Sequence, residues 1–218
     1  MKFKLIATFL VAACAILPQA TAGSNSLDTL ENFLKTTKTG RADFTQTVTS
    51  AAREGQAPKV KKSSGVFEFA RPSHFKFLYK KPFEQSLVAD GQTLWIYDAD
   101  LNQVTSSKQA SVLSSTPAAL IASAPDLKTL QQNFTLQAEA DKDGQAWVLA
   151  TPKAKDGTLQ SIRVGFKLPG GELAALDILD SFGQRSLMQF QKVELNPALA
   201  ADSFNFKPPA GVDVIKQP

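Results

Sequence analysis

Few side chains in this sequence are equipped for covalent or metal chemistry. His74 is the only histidine and Cys14 the only cysteine. A serine nucleophile with a histidine base would have to use His74, and a zinc site needs several His or Cys ligands. Neither a GxxxxGK[ST] nor a GxGxxG phosphate loop occurs. The run Asp98-Ala99-Asp100-Leu101-Asn102 opens like a calcium loop. Gln103, however, stands where that loop turns on glycine, and Gln109 where it chelates with glutamate. A polar hairpin turn accounts for these acids. The 20 acidic residues supply carboxylates for glycoside hydrolysis by count, yet no spacing singles out a pair. His74 is expected on a strand, facing solvent. This inventory points away from an enzyme and calls for no cofactor or metal.

The N-terminus reads as an export signal. Met1-Lys2-Phe3-Lys4 is a short positive start, followed by an apolar run from Leu5 to Leu17. Pro18 breaks the run and Ala20-Thr21-Ala22 has the small-x-small form of a cleavage site. The run is too short to anchor in a bilayer. Cleavage after Ala22 is expected, leaving residues 23–218 as a single domain outside the cytoplasm. Val11-Ala12-Ala13-Cys14 loosely resembles a lipobox, but the apolar run continues past Cys14 and the better site follows it. Losing Lys2 and Lys4 lowers the formal charge from +4 to +2. So small and scattered an excess makes no nucleic-acid footprint. Lys59, Lys61 and Lys62 form the one dense basic cluster, in a polar stretch from Ala51 to Ser64 that reads as a solvated loop.

The elements that would position any site are mostly strands. Leu27, Leu30, Phe33 and Leu34 have helical spacing behind Ser26 as N-cap, ending near Lys38-Thr39-Gly40. Strand patterns follow over Arg41–Thr49, Gly65–Ala70, His74–Lys80, Gln85–Asp90, Thr93–Asp98 and Leu101–Thr105. Ser107–Gln131 interrupts them with short helices: Thr116-Pro117 opens one through Leu120 and Ile121, and Asp126 caps another through Leu127 and Leu130. Strands resume over Phe134–Glu139, Ala146–Thr151, Leu159–Leu168, Glu172–Asp180 and Gln184–Val193, separated by Gly-containing turns. About eleven strands at short spacing predict one antiparallel sheet, curled into a barrel or part of one. Phe204-Asn205-Phe206-Lys207-Pro208-Pro209 reads as a short last strand and an extended tail.

Fifteen phenylalanines are many for this length. Phe67, Phe69, Phe75, Phe77 and Tyr79 share one face of adjacent strands. Such a face is either an ordinary packed core or the wall of an apolar hollow, and periodicity does not separate the two. In a hollow, the short helices would serve as a lid.

Gly65-Val66-Phe67-Glu68-Phe69-Ala70-Arg71-Pro72-Ser73-His74-Phe75, then Tyr79-Lys80-Lys81-Pro82, Leu87-Val88-Ala89-Asp90-Gly91-Gln92-Thr93-Leu94-Trp95-Ile96-Tyr97-Asp98 and Leu101-Asn102-Gln103-Val104 form an ordered series. Ser115-Thr116-Pro117, Thr151-Pro152-Lys153 and Phe204–Val212 continue it. In order and spacing the series resembles the outer-membrane lipoprotein carrier family, LolA. The resemblance implies a mainly β, α+β fold: an unclosed antiparallel barrel with a helical lid over an apolar cavity. It implies a monomeric periplasmic chaperone. Such a protein takes acylated lipoproteins from an ATP-driven inner-membrane release complex and passes them to an outer-membrane receptor. It also implies that Arg71 latches the lid by bonding to helix backbone. Phe67, Phe69, Phe75, Phe77, Tyr79, Trp95, Leu120 and Ile121 are then expected to line the cavity, with Phe75 alternatively a partner contact. The alanine-rich segment Ala118-Ala119-Leu120-Ile121-Ala122 departs from bulkier lids of the family. Two other readings remain open: the receptor of the same fold, anchored at Cys14, and a periplasmic lipid-binding protein without protein cargo.

Overall fold

The computed structural model describes residues 26–52, 55–112, 124–155 and 157–217. The signal segment, Cys14, Leu120 and Ile121 lie outside these residues. Helix α1 (Ser26–Thr36) buries Leu30, Phe33 and Leu34, the stripe that 3.6-residue spacing predicts. It leads into β1 (Thr39–Thr49), β2 (Val60–Ala70), β3 (His74–Lys81), β4 (Gln85–Asp90), β5 (Thr93–Asp98) and β6 (Gln103–Lys108). A single helical turn, α2 (Gln109–Val112), follows β6, and α3 (Leu127–Asn133) precedes β7. The rest are β7 (Phe134–Lys142), β8 (Gln145–Pro152), β9 (Leu159–Lys167), β10 (Leu173–Asp180), β11 (Arg185–Leu195) and β12 (Asp213–Lys216).

The strands form one sheet in the order β12-β6-β5-β4-β3-β2-β1-β11-β10-β9-β8-β7. The long jump from β1 to β11 places the two halves of the chain side by side. Both end strands, β12 and β7, lack a second neighbour in this order, so the barrel is not closed. Alternation selects the faces: Ala42 and Phe44 of β1, Phe67 and Phe69 of β2, and Phe75 and Phe77 of β3 all point inward. Val148, Val164, Phe166, Leu176, Met188 and Phe190 complete this face from the other half. Gly40 and Gly65 leave the room it needs. A Cβ on Gly40 would lie 2.3 Å from the ring of Phe69, and one on Gly65 would lie 1.9 Å from the Leu78 carbonyl.

Three expectations require correction. Val60–Ser64 belongs to β2, with Lys61 and Lys62 opposite Val48 and Thr47 of β1, instead of to a loop. Phe204–Pro209 is not a strand. Pro208 and Pro209 have no N–H to donate, and the rings of Phe204 and Phe206 lie on the outer face beside His74, Trp95 and Tyr97. The last strand comes later and pairs parallel to β6, through Asp213↔Gln103 to Lys216↔Ser106, so the sheet is not wholly antiparallel.

Candidate functional site

Aromatic rings crowd the centre of the inner face. Phe67 stacks on Phe77 with centroids 4.4 Å apart, and Phe44 meets Tyr79 edge-on at 5.0 Å. Phe33 of α1 packs on Phe166 at 5.5 Å and Phe69 at 6.2 Å. Phe67, Phe69, Phe75 and Phe77 are at most 3% exposed. Only about 10 Å³ of free space remains beside Phe33, Phe67, Phe69 and Phe190. This part of the face is packed, with α1 as its cover, and is not hollow in this conformation.

Arg71 sits at the edge of that cover. Its Nε donates to the Thr37 carbonyl at 2.9 Å and its Nη1 to the Ala124 carbonyl. Thr37 follows the end of α1 and Ala124 precedes α3, so one guanidinium joins the ends of both segments. A helix leaves its last carbonyls without intrahelical donors, which is what Arg71 exploits at Thr37. Asn196 serves the same end, donating to the Thr36 carbonyl at 3.1 Å and accepting from the Lys38 amide at 2.7 Å. The guanidinium carbon lies 5.4 Å from the Phe33 ring centroid and 5.2 Å from that of Phe69. Burial pushes its pKa down to about 10. It stays a cation at neutral pH, but an expensively desolvated one.

Gln109 adds a second tie. It is 2% exposed, accepts from the Gly91 amide at 2.9 Å and donates to the Ser73 carbonyl at 2.6 Å. The start of α2 is thereby fixed to the β2–β3 and β4–β5 turns. At α3, the Asp126 carboxylate accepts from the Thr129 amide at 2.7 Å, the cap expected from the sequence. Leu130 of the same helix is 2% exposed, against the sheet.

Open space flanks the packed centre on two sides. A cavity of about 780 Å³ lies beside α3, bounded among the described residues by Ser73, Ala124, Leu130, Phe134, Pro152 and Leu159. That size suits a small-molecule site, typically about 300–1,000 Å³. A second, of about 530 Å³, opens where β1 and β3 end and β2 begins, over Gln46, Val48, Tyr79 and Phe83 with Lys61 and Lys81 at its rim. The Tyr79 hydroxyl donates to Gln46 Oε1 at 3.1 Å, and burial pushes its pKa up to about 12.

The sequence-derived residues thus fall into separate places. Arg71 bonds helix-end backbone. Phe67, Phe69, Phe75 and Phe77 form the packed centre, and Phe75 at 0% exposure presents nothing to a partner here. Tyr79 borders open space. Trp95 points to the outer face, where its indole donates to Asp90 Oδ2 at 3.0 Å and its ring lies 5.6 Å from Phe206, so it does not line the interior. His74 is partly covered on that face as well, against Phe204. Gln109 and Asn196 carry no mark in the sequence, because a polar residue at an element boundary gives no sign of which distant backbone it serves. Glu68 alternates with Phe67 and Phe69 and so faces outward, yet it is 7% exposed between Arg41 (2.7 Å) and Lys76 (2.6 Å). Its acidity rises because the bonds from Lys76 and Arg41 outweigh the opposing effect of burial.

Among the described residues no three His, Cys, Asp or Glu side chains converge as metal ligands, and no helix is long and apolar enough to cross a membrane.

The family model of the outer membrane lipoprotein carrier protein LolA matches residues 35–207. A protein named outer-membrane lipoprotein carrier protein in Albidiferax ferrireducens is 63% identical over 216 residues, covering 98% of this chain and 100% of its own. Proteins of the same name in Methylibium petroleiphilum and Dechloromonas aromatica are 48% and 42% identical. These cover 96% and 99% of this chain, and 97% and 99% of their own. With such matches across the sheet, the Arg71 contacts and the helices over the aromatic face, the chain belongs to the LolA family of outer membrane lipoprotein carrier proteins.

Proposed function

We propose that this protein is a periplasmic carrier that shields the acyl chains of lipoproteins between two membranes, and that the packed arrangement of α1 on the aromatic face is its closed form. The observation that carries this reading is the Arg71 guanidinium, bonded to backbone at the ends of both α1 and α3 above an aromatic sheet face. A core needing only to be sealed would use apolar side chains at that edge. A desolvated cation holding two carbonyls makes instead a cover that closes well and opens at small cost. Acyl chains supply the drive: about sixteen carbons exposed to water cost on the order of 12 kcal/mol, at about 0.8 per methylene. They would enter beside α3, where the cavity already lies, and displace α1 or α3 from the phenylalanines.

The chain acts by binding, not catalysis. Cargo would come from an ATP-driven inner-membrane release complex and pass to an outer-membrane receptor, and export would follow cleavage after Ala22. The deciding experiment incubates the purified mature protein with inner-membrane vesicles bearing a radiolabelled lipoprotein, the release complex and ATP. A soluble one-to-one complex that then yields its lipoprotein to outer-membrane vesicles is the expected result. Lipoprotein that stays sedimentable would refute the carrier reading. Mass spectrometry of the secreted protein should find Gly23 as its first residue; an acylated Cys14 would assign it to the receptor instead.

A further inference from the structure

The end of the sheet remote from Arg71 carries an unusual set of exposed side chains. Phe83 at the β3–β4 turn, Leu101 at the β5–β6 turn and Phe182 at the β10–β11 turn are 66%, 69% and 73% exposed, and Val60 at the start of β2 is 56% exposed. Strand order and antiparallel pairing put all four along one rim. Adjoining turns are joined along it. The Ala99 amide donates to the Glu84 carbonyl at 3.1 Å, and a Cβ on Gly183 would lie 3.2 Å from that of Ala51.

These tips are held outward by their own turns. Asp98 Oδ1 accepts from the Leu101 amide at 3.1 Å, and Asp180 Oδ1 accepts from the Phe182 and Gln184 amides at 2.9 and 2.8 Å. Two of the rim's carboxylates are therefore engaged with backbone, leaving Glu84 and Asp100 as the exposed acids of these turns. Against them stand Lys59, Lys61, Lys62, Lys80 and Lys81, all exposed. Lys61, Lys62 and Lys81 border the same 530 Å³ opening as Phe83.

Lysines set around protruding apolar side chains complement one kind of surface in particular, a bilayer with anionic headgroups over hydrocarbon. We propose that this rim docks the protein on anionic lipid bilayers. Lys61, Lys62 and Lys81 meet headgroup phosphates while Phe83, Leu101 and Phe182 settle at the depth of the glycerol and first methylenes. Docking this way would turn the Tyr79-lined opening of the inner face toward the lipid. The docking itself does not depend on the cargo assigned above, since it concerns unloaded protein and plain lipid.

The test is flotation of the unloaded mature protein with vesicles of phosphatidylglycerol and phosphatidylcholine in equal parts, against phosphatidylcholine alone. The expected result is binding at least about ten-fold tighter to the anionic vesicles at low ionic strength, weakening as salt rises. K61Q/K62Q/K81Q should lower that affinity about a hundred-fold, near five-fold per lysine. F83S/L101S/F182S should lower it at least about ten-fold. All six side chains are exposed, so these variants leave the fold intact. F83W should shift its emission to the blue on anionic vesicles and be quenched by brominated acyl chains. Equal binding to both vesicles, or an unaffected serine variant, overturns the proposal. So does binding to polyglutamate that matches the vesicles without any shift in F83W, which would assign the rim to an acidic protein partner.

Discussion

Replacing Arg71 by leucine tests whether the guanidinium is a latch or a structural fixture. Its bonds to the Thr37 and Ala124 carbonyls are charge-assisted, each contributing about 1.5–3 kcal/mol. Against them stands the desolvation that lowers its pKa to about 10, equivalent to about 3 kcal/mol. The difference, about 0–3 kcal/mol, is what leucine forfeits, since leucine still covers Phe33 and Phe69. An intermediate figure of about 2 kcal/mol makes opening of α3 about thirty-fold more frequent. Amide exchange should therefore accelerate by that order across Leu127–Asn133, while the inner strands β8 and β9 exchange as before. Arg71→Lys should behave like leucine, because an ammonium cannot span two carbonyls as the planar fork does. In a transfer assay both variants should take up lipoprotein and hand it on slowly, their empty state having lost its advantage over the loaded one. Unchanged exchange in α3 would refute the latch. A uniform acceleration across the sheet would refute it too, by showing that Arg71 supports the whole fold.

Three other perturbations have definite outcomes. Tyr79→Phe removes a phenol whose pKa is raised by burial from 10.0 to about 12; its stabilising contribution is complete below pH 10 and is lost as the pH rises to about 12. Urea melts should therefore show the variant gaining up to about 2 kcal/mol on the parent between pH 9 and pH 12. Glu68→Gln breaks the Arg41–Glu68–Lys76 arrangement and should lower stability by about 1–3 kcal/mol at pH 7. Because the folded-state pKa of Glu68 lies below its ordinary 4.5, that deficit is full above pH 4.5 and should vanish as acid protonates the parent's carboxylate. Phe67→Ala, at a ring 2% exposed and stacked on Phe77, should cost about 3–5 kcal/mol by the same melts, and a loss under 1 kcal/mol would mean that the centre of the face is loosely packed.

Strands and faces were legible because each depends on near neighbours. Gln85–Asp90 and Thr93–Asp98 have the bounds expected from the Asp90-Gly91 turn between them, and the alternation of Phe67, Phe69, Phe75 and Phe77 fixed their common face. What stayed hidden is long-range. Strand β12 is four residues long, exposed on both faces and parallel to a strand more than a hundred positions earlier, so neither alternation nor turn chemistry announces it. The misplacement of Trp95 has another origin. The outer face of β5 is itself covered by aromatic residues of the C-terminal segment, so apolar character does not identify the inner side. The burial of Glu68 is hidden likewise, because its partners Arg41 and Lys76 come together only through the pairings of β2 with β1 and β3. Arg71 was singled out by the family resemblance and not by periodicity or spacing, and its bond to the Thr37 carbonyl at the end of α1 had no sign in the sequence, since that carbonyl lies 34 positions away.

That the aromatic face is packed, instead of open, fits a carrier better than a standing hollow would. An empty apolar cavity of acyl-chain size leaves its lining without neighbouring atoms and destabilises the protein that contains it. Here α1 occupies the place with Leu30, Phe33 and Leu34, side chains that meet the phenylalanines much as hydrocarbon would. On the proposed function, loading would exchange one apolar cover for another, with the acyl chain taking over packing that α1 gives up. The balance of that exchange falls to a few polar ties at the edge: Arg71 on Thr37 and Ala124, Gln109 on Gly91 and Ser73, Asn196 on the end of α1. A cover held by hydrophobic packing alone would have no such adjustable margin. On this reading Gln109→Leu should resemble Arg71→Leu, raising exchange around α2 while sparing the sheet, even though leucine is the more apolar residue and the site is almost wholly buried.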